Sequence, residues 1–163
     1  MTCCFFGHRD TPSHIANKLR DLLPQLVKEK QVTRFLVGNE GGFDRMVATA
    51  LSELQKEYPN IQCYIVLAYL PQAKSAPLPL ETIYPEGLER VPKRFAIDRR
   101  NKWMLKQSDI TVGYIRFSTG GAARYFEIAK KNGKEMIQLA DEYEKSHEVK
   151  GVSPFDCMAF SGT

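Results

Sequence analysis

Residues 34–54 read RFLVGNEGGFDRMVATALSEL. Arg34–Val37 is a short apolar run, GNEGG breaks it, and Phe43, Met46, Val47, Ala50, Leu51 and Leu54 then recur at helical spacing. A strand, a glycine turn and a helix in direct succession form the first part of a βαβ unit. The same order stands on either side. Upstream, residues 2–6 (TCCFF) end at Gly7-His8-Arg9, and Ile15, Leu19, Leu22, Leu23, Leu26 and Val27 make a helical stripe with Pro12 near its start. Pro24 falls inside that stripe, where a proline costs about 3 kcal/mol, so the spacing predicts a kinked or shortened helix. Downstream, residues 61–68 read as a third strand, apolar almost throughout, as a strand covered on both faces should be. A helix over 93–107 carries Trp103 and Met104, and a fourth strand over 110–115 runs into Phe117-Ser118-Thr119-Gly120-Gly121. A helix over about 122–132, with Gly133 as its C-cap, leads to a fifth strand at 135–139. Alternating strands and helices with apolar strands predict an α/β fold: a doubly wound, mainly parallel five-stranded sheet with helices on both faces.

The chain has 163 residues, 43% of them hydrophobic and 26% charged. That is one domain's worth of chain, able to bury about 68–70% of its unfolded surface. The pattern places the domain at 1–140 and a partly ordered tail at 141–163. A net charge of +4 is mildly basic. It permits an anionic small ligand or weak nucleic-acid contact, whereas a dedicated DNA binder concentrates its basic residues on one face. No apolar run approaches the roughly 20 residues of a membrane helix, and MTCCFFGHRD lacks the basic n-region of a signal peptide. Cys3, Cys4, Cys63 and Cys157 form no CxxC pair and no zinc spacing with histidine, so no metal or cofactor is expected. They read as reduced, buried thiols of a cytoplasmic protein, with Cys3 and Cys4 on opposite faces of a strand; a reactive thiol or an unusual pairing is the alternative. Residues 69–92 hold five of the nine prolines and show no periodicity; excursions of this length are functional lids or mobile segments.

In a parallel sheet ligands bind beyond the carboxyl ends of the strands, at the crevice where strand order reverses. Three strand ends there carry glycine: Gly7, then Gly38 with Gly41 and Gly42, then Gly120 with Gly121. A strand running through glycines into a helix can aim free N–H groups, reinforced by the helix dipole, at an anion such as phosphate. The alternative is that these glycines only make tight turns.

GNEGGFD (38–44) is similar to the glycine-rich turn of the DNA-processing protein DprA/Smf, keeping Gly38, Gly42 and Asp44. RNKWMLKQSD (100–109) followed by TGGAARYFE (119–127) resembles the Lonely Guy (LOG) phosphoribohydrolases, whose signatures are R-K-x-x-M and P-G-G-x-G-T-x-x-E. With the opening CCFFGHR, residues 1–140 resemble the SLOG (Smf/DprA–LOG) superfamily, in its small YpsA-like branch. The resemblance implies a Rossmann-like fold, a nucleotide or nucleotide derivative as small-molecule partner, and a homodimer with the site beside its interface. It matches Arg100 to the catalytic arginine, Glu127 to the catalytic glutamate, Met104 to the methionine, and Gly120 and Gly121 to the glycines that receive phosphate. The chain departs from the pattern at Asn101, Thr119, Ala123 and Arg124, where LOG enzymes carry lysine, proline, glycine and threonine. Such an enzyme cleaves the base–ribose bond of a nucleoside monophosphate, which needs a carboxylate near the anomeric carbon. A cation and backbone amides hold the phosphate.

Three functions follow as expectations: a ligand-binding, sensor-type SLOG protein first, a phosphoribohydrolase using Arg100 and Glu127 second, and a DprA-like single-stranded DNA binder third. Arg100 and Glu127 are expected to face one pocket, with Gly7, His8, Arg9, Gly38, Gly42, Asp44, Thr119, Gly120, Gly121 and Arg124 as ligand or phosphate contacts. Each has a structural alternative. His8 in a tight turn can be a hydrogen-bonded scaffold residue, Asp44 can cap a helix, and Arg100 and Glu127 can be solvated helix positions. Arg124 can crowd the pocket, pair with Glu127 or bind phosphate. The segment 89–106 sets seven basic residues against Glu89 and Asp98, with Phe95 and Trp103 interleaved. That pattern fits a solvated face with core aromatics, or a grip on nucleic acid.

Overall fold

β1 (Thr2–Gly7) is apolar on both faces, and Cys3, Cys4, Phe5 and Phe6 are all buried. In the computed structural model, which describes residues 1–146, β1 lies in the interior of a six-stranded sheet. The other strands are β2 (Arg34–Val37), β3 (Gln62–Val66), β4 (Glu81–Ile83), β5 (Ile110–Tyr114) and β6 (Glu135–Gln138), in spatial order β4-β3-β2-β1-β5-β6. Every pairing is parallel; Cys4, for example, lies opposite Leu36 on one side and Thr111 on the other. The helices are α1 (Ile15–Lys28), α2 (Gly42–Glu57), α3 (Ala96–Gln107), α4 (Gly121–Lys131) and α5 (Glu142–Ser146).

Alternation along β1 sorts the core into two layers. Cys3 and Phe5 point into one with Phe35, Val37, Ile65 and Val112, covered by the Ile15, Leu19, Leu23 and Leu26 stripe of α1 and by Phe43, Val47 and Leu51 of α2. Cys4 and Phe6 point into the other with Leu36, Val66, Met104, Leu105, Tyr125 and Ala129, where α3 and α4 pack. The result is a Rossmann-like doubly wound sheet. Strand order reverses between β1 and β5, which places a crevice at their carboxyl ends.

The sheet has six strands rather than five. β4 lies inside the proline-rich excursion, where three mostly exposed edge residues have no apolar alternation to announce them. The rest of that excursion is partly scaffold: Leu88 and Ala96 bury against Ala68, with Tyr84, Val91 and Ile97 around them. Pro24 does not shorten α1, which continues to Lys28. Buried Leu23 and Leu26 on either side of it are worth about 1.5–3 kcal/mol each, enough to offset the missing bond. Gly133 ends α4 as expected, at φ 71°, with Lys134 N–H donating to the Ala129 carbonyl and Gly133 N–H to that of Lys130. Of the expected tail, α5 is docked on the domain: the Tyr114 hydroxyl donates to Glu144 Oε1 at 3.1 Å, and His14 Nε2 lies 3.2 Å from the same oxygen. Residues 147–163, Cys157 among them, lie outside the described residues. Among the described residues no helix is long and apolar enough to cross a membrane.

Candidate functional site

A cleft of about 370 Å³ opens at the carboxyl end of β1, between the loops that follow β1, β2 and β5. Gly7, His8 and Arg9 line it from the first loop, Gly38, Glu40 and Asp44 from the second, and Gly121 and Ala122 from the start of α4. Ile97, Arg100 and Asn101 close it from α3. The structure thus gathers residues from four separate segments at the switch point.

Arg100 is only 2% exposed although it carries a charge. Its Nη1 donates to the Val66 carbonyl at 2.7 Å and its Nε to Asn101 Oδ1 at 2.7 Å, so two of the five guanidinium donors are committed and the side chain still borders the cleft. Burial lowers its pKa from the ordinary value, against the opposing pull of Asp44 and Glu40. Gly38 makes this arrangement possible. A Cβ there would sit 2.7 Å from Asp44 Oδ2 and 2.9 Å from Arg100 Nη1, so the carboxylate and the guanidinium close in on a backbone that only glycine leaves open. Asp44 stands in the first turn of α2, and its Oδ2 accepts the Glu40 N–H at 2.9 Å. Its pKa is nevertheless raised, because burial outweighs that bond and the charges of Arg100 and Arg9.

The glycine loops divide into two kinds. The Gly42 N–H is spent on the Arg9 carbonyl at 2.9 Å, and a Cβ on Gly42 would collide with that same oxygen. Gly42 therefore sews the β1 and β2 loops together instead of offering a donor to ligand, which corrects its expected role as a phosphate contact. Gly7 is likewise a packing position, with the Phe43 ring against its Cα. Gly120 and Gly121 differ. Neither has any atom within 4 Å of a virtual Cβ, Gly120 adopts φ 98°, and Gly121 borders the cleft at the N-terminus of α4. His8 serves that loop: its Nε2 accepts the Arg116 N–H at 3.0 Å and the Phe117 N–H at 3.2 Å, and its ring meets Phe117 edge-on. Nε2 is thus an acceptor, and His8 orders the strand-to-helix turn from within the cleft wall. Arg9 at the rim is exposed and makes no ion pair among the described residues.

Two expected convergences do not occur. Glu127 is exposed on α4 and is not part of the cleft lining, so the structure does not bring it to Arg100. Arg124 is also turned outward, 3.3 Å from Asp98, whose carboxylate takes the Tyr125 hydroxyl and Lys102 as well. Arg124 therefore neither fills the cleft nor pairs with Glu127; it clamps α4 to α3. Thr119 is exposed and outside the lining. Glu40 and Asn101 are site residues that sequence reasoning passed over. Within GNEGG nothing sets Glu40 apart from its neighbours, and Asn101 stands out in the sequence only as a departure from lysine, although its carboxamide is what orients Arg100.

Cys3, Cys4 and Cys63 are free and buried. Burial raises Cys4 to about 11 and Cys63 to about 12 and lifts Cys3 well above the ordinary thiol value, so none offers a thiolate near neutral pH. Among the described residues no group of three His, Cys, Asp or Glu side chains is placed to hold a metal ion. Fold and site together define an α/β protein with a charged cleft at the switch point of a parallel sheet. Comparison with known proteins finds no matching family model and no matching curated protein.

Proposed function

We propose that this chain is a nucleotide-binding protein of SLOG type, a sensor that takes a nucleotide or nucleotide derivative in the switch-point cleft. The observation that carries the reading is the open N-terminus of α4, where Gly121 and Ala122 line a cleft that also holds buried Arg100 and Arg9, which makes no ion pair among the described residues; Gly120 precedes them outside the lining. Free amides, the helix dipole and a cation are the elements of a phosphate site. The cleft also contains two acids, Glu40 and Asp44, which balance the two arginines. That balance suits a ligand with both an anionic group and sugar hydroxyls, since a carboxylate in this fold can accept from ribose. No observation favours hydrolysis through Glu127, which faces solvent. The basic segment does not favour single-stranded DNA either, because Arg100 is buried within it and Asp98 neutralises Lys102. The homodimer rests on the resemblance. Cytoplasmic residence rests on the reduced state of three buried thiols.

Calorimetry with adenosine, inorganic phosphate and adenosine monophosphate, backed by thermal shifts, tests the reading. The monophosphate should bind more tightly than either fragment and, at 100 times its dissociation constant, add about 2.7 kcal/mol of stability. Arg9→Ala should weaken the monophosphate and leave adenosine unchanged. No binding by purine or pyrimidine monophosphates at millimolar concentration would overturn it.

A further inference from the structure

Two further hollows continue the cleft along the same sheet edge. One of about 350 Å³ lies among Arg9, Asn39, Glu40, Gly41 and Arg45, and shares Arg9 and Glu40 with the cleft. The next, of about 420 Å³, lies under residues 71–78, between the carboxyl end of β3 and the amino end of the edge strand β4, and shares Asn39 with its neighbour. Adjacent strands are about 4.8 Å apart, so three strand spacings put the far hollow about 14 Å from the β1–β5 crevice. The first cleft is by itself within the range of about 300–1,000 Å³ that houses a drug-sized ligand. The far hollow is room for something more.

The far hollow differs in chemistry from the cleft. Leu67, Leu78 and Leu80 supply apolar wall, and no cation lines it. Tyr69 is 41% exposed there, yet its hydroxyl is tied to the Lys93 carbonyl at 2.9 Å, so the ring is held in place with surface to spare. Asn39, at the junction, is exposed and makes no hydrogen bond among the described residues. A fixed aromatic ring for stacking beside a free carboxamide, able to donate and accept at once, is what a nucleobase needs from a protein.

We propose that the ligand is a two-headed nucleotide of the phosphate-linked dinucleotide class. One nucleotide unit fills the switch-point cleft, and the second planar head lies on Tyr69 under residues 71–78, its edge read by Asn39. This rests on the nucleotide reading above and names the ligand class for it. Calorimetry on the full chain, with adenosine monophosphate and diadenosine pyrophosphate as probes, tests it. Diadenosine pyrophosphate should bind about tenfold more tightly or better. Tyr69→Ala should reduce that advantage about fivefold or more while leaving the monophosphate unchanged, and Tyr69→Phe, which keeps the ring, should retain most of it. Equal affinity for the two probes, or a Tyr69→Ala loss shared equally by both, overturns the two-headed ligand and leaves the nucleotide reading standing. Failure of both probes to bind overturns the two together.

Discussion

Burial beside Gly38 raises the Asp44 carboxyl above its ordinary range, against the Glu40 amide and the Arg100 guanidinium that pull it down. A native state that holds this proton more tightly than the unfolded chain loses stability as pH rises from the unfolded carboxyl value of about 4 through the native one. Asp44→Asn removes that loss. The carboxamide oxygen can still accept the Glu40 N–H, and Glu40 remains as counter-charge to Arg100. The variant should therefore be at least as stable as the parent at about pH 7, with any advantage gone below about pH 4. Urea unfolding across that range checks the expectation, and a variant weaker at every pH contradicts it. A carboxyl raised by burial in a cleft beside a buried arginine is a candidate ligand residue. Arg100 answers differently. Arg100→Ala orphans the buried Val66 carbonyl, a loss of about 1–3 kcal/mol in urea unfolding. Arg100→Lys should recover only part of it, because one ammonium cannot replace a fork spanning Val66 and Asn101.

The turn between β5 and α4 separates backbone needs from ligand needs at adjacent glycines. Gly120 has φ 98° and ψ 173°, where any other residue is strained, so Gly120→Ala should cost about 1–3 kcal/mol. Gly121 has open space at its Cβ position, and Gly121→Ala should fold normally. If phosphate sits on that amide, the added methyl at the cleft wall should still weaken nucleotide binding. Stability and affinity measured on both variants separate the two roles; unchanged affinity in Gly121→Ala removes the phosphate from this position. His8→Ala should cost about 1–3 kcal/mol and speed hydrogen exchange at the Arg116 and Phe117 amides, since both lose their acceptor. At this scale the sequence was readable where burial is periodic. Five strands and four helices stand out because their apolar residues recur at the spacing of the face they bury. β4 does not, because Glu81-Thr82-Ile83 is an edge with little to bury. The glycine loops are readable as positions and not as roles: nothing in GNEGG tells that the Gly42 amide is taken by Arg9, on the far side of α1 and β2 in the chain.

Across the molecule, strand order decides which of those loops meet, and order is the property least visible in the chain. The alternation of elements implies a switch point, but only the placement of β5 beside β1 brings Arg9, Asp44, Arg100 and Gly121 into one cleft. It also leaves Glu127 outside, because the inward stripe of α4 is Ala123, Tyr125 and Ala129, and residue 127 falls on the other side. The same placement gives Tyr114, at the end of β5, a long reach. Its ring stacks on Phe43 of α2 at 6.5 Å and meets the edge of His8 at 6.2 Å, while its hydroxyl donates to Glu144 of α5. Burial and the Glu144 charge raise that hydroxyl to about 12, so it stays a donor throughout the neutral range. Tyr114→Phe keeps the ring and both aromatic contacts and deletes only the bond to the carboxylate. A hydrogen bond to a charged group is worth about 1.5–3 kcal/mol, and its loss should fall on the docking of α5, not on the sheet. Hydrogen exchange should accelerate at Glu142–Ser146 while the amides of β1 and β5 keep their protection. Equal exchange at α5 in both proteins would mean that His14 and the paired bonds of 2.8 Å between Asp141 and Glu144 hold this helix without Tyr114.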